Sequence, residues 1–163
     1  MNVKKTLLIV EGPDGAGKTT LIKSITAKTK ATVIHFDKPK PDEDSFLMYL
    51  RVMVDALRDE NEVLIMDRAW YSEIVYHAIM RPDTAELLDK EQIITLELAA
   101  LQLYQPLVIR CTAAFEVLRK RCDTRGEDYV AQATALKAIS DMYDNLTIRL
   151  PCITIRTDMN ACS

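Results

Sequence analysis

The sequence predicts an α/β fold: a five-stranded parallel sheet with helices on both faces. Three observations carry that prediction. Short apolar runs alternate with longer stretches whose apolar residues recur at helical spacing, the pattern of a parallel sheet with right-handed crossovers. The first run leads into Gly-x-x-x-x-Gly-Lys-Thr, from Gly12 to Thr19. This is the phosphate-binding P-loop pattern, set between strand and helix as its mechanism requires. The third run ends in Asp67-Arg68, a charged pair at the sheet edge where open α/β proteins hold ligands.

The elements follow in order. Thr6-Leu7-Leu8-Ile9-Val10 reads as a buried first strand. After the loop, residues 18–30 place Leu21, Ile22, Ile25 and Ala27 at near-helical spacing. Thr32 to Phe36 is short and β-branched, a second buried strand. Pro39 and Pro41 then forbid regular structure. A helix follows, capped by Asp44 or Ser45, with an apolar stripe from Phe46 to Leu57. Val63-Leu64-Ile65-Met66-Asp67 is a central strand, and a helix carrying Ile74, Val75, Ala78 and Ile79 ends at Arg81-Pro82-Asp83-Thr84. Residues 89–103 form a longer helix, apolar nearly all round and so expected to be well buried. Leu107 to Cys111, introduced by Pro106, is the fourth strand. A short helix from about Ala114 runs into the basic stretch from Arg119 to Arg125, and a last helix is expected from about Asp128. Cys152 to Arg156 is the fifth strand.

At 163 residues the chain reads as one domain, with a lid segment around 119–128. A net charge of −3 argues against a general polyanion binder but leaves room for a local basic cleft. Four scattered cysteines and two histidines make neither a zinc site nor a disulfide framework, so reduced thiols in a cytoplasmic protein are expected. No apolar run approaches the ~20 residues that cross a bilayer.

Three groups should meet at one sheet edge: the P-loop, Asp67-Arg68, and the arginines at 119, 121 and 125. Phosphoryl transfer needs alignment and positive charge more than covalent chemistry. Gly12, Pro13, Asp14, Gly15, Ala16, Gly17, Lys18, Thr19 and Thr20 would bind ATP, with backbone N–H groups and the helix N-terminus facing its phosphates. Lys18 would reach the β- and γ-phosphates, and Thr19 would ligate Mg²⁺. Asp67 would orient Mg²⁺-bound water or take a proton from an acceptor hydroxyl; its bland alternative is a helix cap. Arg68 would grip an acceptor phosphate, or merely pair with a carboxylate. The arginines of the basic stretch would close over the phosphates or stay solvated. Glu11 reads as a loop anchor or as a contact to the acceptor. Trp70 and Tyr71 read as packing first and stacking surface second. His35 and His77 read as structural.

These residues resemble the thymidylate kinases, and more broadly the nucleotide and deoxynucleoside kinases of the P-loop class. Glu11 to Thr20 looks very like their P-loop, and Asp67-Arg68, Ser72 and Tyr76 match their second signature. The resemblance implies a P-loop NTPase fold of the nucleoside monophosphate kinase type. It implies ATP and Mg²⁺ as cofactors, a catalytic arginine supplied by the lid (Arg121 or Arg125), and dTMP as the favoured acceptor. The acceptor side would comprise Glu11, Asp37, Arg51, Arg68, Ser72 and Tyr76. The chain departs from the family at 36–41, where an Arg-Glu-Pro-Gly-Gly stretch is missing. It departs also at Ala69, at His77, and in the spacing of Arg51 from Asp67. It is similar, too, to compact phage-encoded thymidylate-kinase-like proteins, some of which phosphorylate hydroxymethylated pyrimidines in DNA. That makes DNA a rival substrate and the host cytoplasm the expected location. A deoxynucleoside acceptor and an ATPase switch are further readings. The apolar helix at 93–103 is a candidate homodimer surface.

Overall fold

Residues 3–36, 40, 42–85, 88–125 and 133–159 are described by the computed structural model. The first half of the chain runs β1 (Lys5–Glu11), α1 (Lys18–Thr26), β2 (Ala31–His35), α2 (Ser45–Ala56), β3 (Val63–Asp67) and α3 (Trp70–Met80). The second half runs α4 (Lys90–Leu103), β4 (Tyr104–Thr112), α5 (Phe115–Thr124), α6 (Ala133–Asn145) and β5 (Cys152–Arg156). The strands make one parallel sheet in the order β2-β3-β1-β4-β5. Because β1 is central and the chain steps to either side of it, the C-terminal ends of β1 and β3 form the crevice of the sheet.

The two-residue period of a strand explains the two layers of helix. Leu7 and Ile9 of β1, with Leu64 and Met66 of β3, join a core containing Tyr49 and Met53 of α2, Trp70 and Tyr71 of α3, and Leu96 and Ala100 of α4. The intervening residues Val10 and Ile65 join a second core with Ile22 of α1, Leu118 and Cys122 of α5, and Leu136 of α6. A third, smaller cluster of Val75, Ile139 and Tyr143 ties α3 to α6. Among the described residues no helix is long and apolar enough to cross a membrane.

Local signals set the helix starts. Asp44 accepts a hydrogen bond from Leu47 N at 3.0 Å and caps α2. Asp89 and Gln92 form a reciprocal capping box on α4. Three sequence expectations need correction or limit. The helix α4 is not buried all round: Leu96 and Ala100 are fully buried, but Leu98 is 57 % and Leu101 43 % exposed, because only one face meets the core. The strand β4 begins at Tyr104 and contains Pro106. Proline is tolerated there because β5 pairs with β4 only from Val108 onward, so Pro106 has a ladder on one side alone. The last helix is described from Ala133, and its expected start at Asp128 lies outside the described residues, as does the 126–128 end of the expected lid.

Candidate active site

The P-loop backbone needs its glycines. Gly12 has φ 142°, and a Cβ there would stand 2.3 Å from the Cys111 carbonyl oxygen of β4. Gly17 sits at φ 83° as the N-cap of α1, where no side chain caps the helix. The first-turn N–H groups of α1 therefore face the loop, the arrangement that receives phosphate. Lys18 is 8 % exposed, and its Nζ donates to Gly12 O at 2.9 Å and Pro13 O at 2.8 Å. Burial, and next the nearby charge of Arg68, pulls its ammonium down to about 8, against the opposite pull of Asp14, Glu11 and Asp67. Thr19 and Thr20 are exposed at the start of α1.

The end of β3 brings the second charged pair to the loop. Asp67 stands opposite His35 of β2 in the parallel register, and His35 Nδ1 donates to Asp67 Oδ2 at 2.9 Å. Asp67 does not cap the following helix; that position belongs to Ala69. Arg68 lies at φ 67°, a left-handed conformation that non-glycine residues hold only when contacts impose it. Its own N–H donates to Val10 O at 3.0 Å. Its guanidinium donates to Asp14 Oδ1 at 2.5 Å and covers the Tyr76 ring at 4.8 Å. Tyr76 OH donates to the other Asp14 oxygen at 2.8 Å. Asp14, expected to touch nucleotide, thus couples the P-loop to Arg68 and α3.

Glu11 is an anchor. It is fully buried and accepts from Ala69 N at 2.7 Å, from Ser72 Oγ, and from Tyr143 OH at 3.2 Å. Burial pushes its carboxyl up to about 6, partly offset by the Ser72 bond and by Arg68. The expectation that Glu11 contacts the acceptor is corrected: its oxygens are spent joining β1, α3 and α6 beneath the site. Arg121 is likewise engaged, donating to Gly15 O at 3.0 Å, Thr157 Oγ1 at 2.8 Å and Thr157 O at 2.9 Å. It clamps the P-loop to the end of β5.

Two cavities meet this edge. One, of about 470 Å³, lies between α2 and α3 and is lined by His35, Phe36, Tyr49, Arg68, Ser72, Glu73, Tyr76 and Arg81, among others. The other, of about 970 Å³, lies between α1 and α5 and includes Gly17, Thr20, Lys120, Arg121, Arg125 and Thr157. Arg68, Ser72 and Tyr76 are therefore together in the first, and Arg121 and Arg125 in the second. Arg51 is exposed on α2 and lines neither cavity. Asp37 lies outside the described residues. Trp70 and Tyr71 are fully buried, so neither offers a stacking face.

Sequence reasoning missed His35 as the partner of Asp67, Thr157 as the far side of the Arg121 clamp, and Glu73 as a cavity wall. His35 was findable, since both residues end apolar strands at the same level. Thr157 had no local signal.

Among the described residues no three His, Cys, Asp or Glu side chains gather into a metal cage. The Asp67 carboxylate and the exposed Thr19 hydroxyl are oxygen donors at this edge, whereas the Asp14 carboxylate is engaged by Arg68 and Tyr76. That set suits Mg²⁺, which takes one or two protein oxygens and completes its shell with phosphates and water.

The polyphosphate kinase 2 (PPK2) family model matches residues 1–97. No curated protein sequence matches the chain. Among solved structures, the YorR protein of Bacillus subtilis in complex with phosphorylated GDP aligns at TM-score 0.70 and 23 % identity, over 93 % of this chain and 85 % of that one. Polyphosphate kinase 2 from Arthrobacter aurescens TC1 aligns at 0.65 and 17 % identity, over 94 % of this chain but 62 % of its own length. Thymidylate kinase from Candida albicans aligns at 0.60 and 17 % identity, over 98 % and 87 %. These structures share the five-stranded P-loop kinase fold.

Proposed function

The chain belongs to the polyphosphate kinase 2 family, a phosphotransferase family, and from that premise we propose that it moves the γ-phosphoryl group of ATP to the phosphate of a nucleotide. One observation carries the reading. Two separate cavities reach the P-loop, one through Gly17 and Arg121 and the other through Arg68, which is bonded to Asp14. A donor in the larger and an acceptor in the smaller would present their phosphates to each other across the loop, the in-line geometry of phosphoryl transfer.

The roles follow from charge and position. The α1 N-terminus and Lys18 would take the donor phosphates, Lys18 exchanging its two carbonyl partners for phosphate oxygens. Phosphate charge would also raise its pKa back from about 8. Thr19 and Asp67 would hold Mg²⁺, which when bound neutralises the phosphates and aligns them. Arg68 would turn from Asp14 to the acceptor phosphate, and Arg125 would face the donor. The acceptor oxygen attacks the γ-phosphorus as the bond to the β-phosphate oxygen breaks. An ionised phosphate acceptor has no proton to lose, so no general base is required. The dTMP expectation rests on the matching Asp67-Arg68, Ser72 and Tyr76. A flipped base in DNA would have to stack on a cavity residue such as Phe36, since Trp70 and Tyr71 are buried.

A second reading replaces ATP with polyphosphate. The family favours it, and Lys120, Arg121 and Arg125 supply cations along the same cavity. Labelled ATP and labelled polyphosphate, each offered with nucleoside monophosphates, diphosphates, deoxynucleosides and hydroxymethylated DNA, separate the readings. Label should pass from ATP to a nucleotide. Lys18→Ala and Asp67→Ala should each lower transfer by roughly 100-fold or more with unchanged circular dichroism. Transfer from polyphosphate alone would replace the donor, label in DNA alone would replace the acceptor, and bare ATP hydrolysis would make the protein a switch.

A further inference from the structure

Tyr143 carries a buried hydroxyl that the transfer chemistry leaves unused. It lies on α6, in the small cluster that packs this helix against α3, with Val75 and Ile139 as buried neighbours. The residue is 1 % exposed, and Arg110 of β4 donates to its backbone carbonyl at 2.7 Å. A phenylalanine would serve packing alone, because a buried phenol must also find partners for its oxygen. Those partners are Ser72 Oγ at 2.7 Å and Glu11 Oε2 at 3.2 Å. Ser72 donates its own proton to Glu11, so the Tyr143 proton is the one left to serve the pair. Burial holds that proton in place by raising the phenol well above its ordinary value.

From Glu11 the contacts lead to Arg68. Ser72 and Tyr143 hold Glu11 Oε2, while Glu11 Oε1 accepts from Ala69 N at 2.7 Å. A carboxylate is planar, so fixing one oxygen aims the other. Ala69 directly follows Arg68, whose φ of 67° persists only because contacts impose it. Two backbone bonds bracket the strained residue: Arg68 N donates to Val10 O at 3.0 Å, and Ala69 N donates to Glu11. Glu11 is fully buried, so water does not replace a donor that it loses. On the reading that Arg68 meets the acceptor phosphate, we propose that Tyr143 is a positioning residue for that arginine. Its hydroxyl, through Ser72 and Glu11, fixes the backbone that aims Arg68, and so ties α6 to the binding of the acceptor.

Tyr143→Phe keeps the ring and removes only the hydroxyl. Tyr104→Phe is the control: Tyr104 is also 1 % exposed, and its hydroxyl donates to Met53 O at 2.5 Å. It stands beside Lys5, at the end of the sheet away from the P-loop. Without any ligand, nuclear magnetic resonance of the Arg68 Nε–H, assigned by its loss in Arg68→Lys, reads the stack of this guanidinium on Tyr76. The signal should move downfield in Tyr143→Phe, as the ring current weakens, and stay in place in Tyr104→Phe. Steady-state transfer from Mg²⁺-ATP to dTMP, dGMP, dAMP and dCMP then reads function. Tyr143→Phe should raise KM about 10-fold for every acceptor used, because Arg68 meets the phosphate they share, and leave KM for ATP within about 2-fold. In an Arg68→Lys background the same change should cost less than about 2-fold, since its route is already cut. The proposal is overturned by an Arg68 signal that does not move, or by one that moves equally in Tyr104→Phe. It is overturned also by an acceptor KM that does not rise, by a rise confined to one base, by an equal rise for ATP, or by an undiminished effect in the Arg68→Lys background. If no nucleotide is phosphorylated while the Arg68 signal moves, the kinase reading fails and the link from Tyr143 to Arg68 stands.

Discussion

Arg68 holds a backbone angle, φ 67°, that costs a non-glycine side chain about 1–3 kcal/mol. The offsetting contacts are its bonds to Asp14 and Val10 and its stack on Tyr76. The strain turns the arginine side chain toward the P-loop immediately after Asp67. Glu11, beneath it, makes a stability prediction. Its carboxyl rises from an ordinary 4.5 to about 6 through burial, so the folded state binds its proton more tightly than the unfolded chain does. That contribution is complete below pH 4.5 and lost as pH rises through about 6, and it amounts to about 2 kcal/mol. Glu11→Gln removes the titration. Urea unfolding of wild type and variant should show the variant gaining about 2 kcal/mol relative to wild type between pH 4.5 and pH 7.5. A difference that is flat with pH would mean the carboxyl is not held up by burial. The identity of Glu11 was legible in the sequence, but its role was not, because Ser72 and Tyr143 reach it only through the fold.

At the scale of elements, α5 carries the basic stretch. The sequence expects a short helix from about Ala114 and a lid segment around 119–128. Residues Phe115–Thr124 form that helix, and Arg121 is held by Gly15 and Thr157. The clamp fixes the P-loop against the strand end that follows β5. Hydrogen bonds from a charged donor contribute about 1.5–3 kcal/mol each when intact. Arg121→Ala should therefore loosen the loop and raise KM for ATP by roughly 10-fold, read by steady-state kinetics. An unchanged KM with a collapsed melting temperature would make Arg121 purely structural. The caps at Asp44 and Asp89 were legible because capping is local. The outward face of α4 was not: an apolar sequence does not tell which side has a neighbour.

For the whole molecule, the two cores on opposite faces of one sheet support a single cooperative domain, which we propose. Trp70 is the only tryptophan and is fully buried between β-sheet, α2 and α4, next to Tyr49 with ring centroids 5.6 Å apart. Its fluorescence reports the first core, whereas far-ultraviolet circular dichroism reports helices on both faces. Their urea transitions should coincide within error. Two resolved midpoints would divide the chain into separate folding units.

The sequence by itself determined the alternation of strands and helices, the P-loop with its lysine, and the Asp67-Arg68 pair at a strand end. These are signals written in adjacent residues: period, turn chemistry and charge at a boundary. Only the tertiary structure decided which residues line the cavity between α2 and α3 and which lie beneath it. It withdrew Glu11 into the interior and left Arg51 outside. It joined His35 to Asp67 and set Glu73, bonded to Tyr49, into the cavity wall. The reason is physical. A carboxylate's role depends on the donors that surround it, and in a parallel sheet those donors arrive from strands and helices distant in the chain.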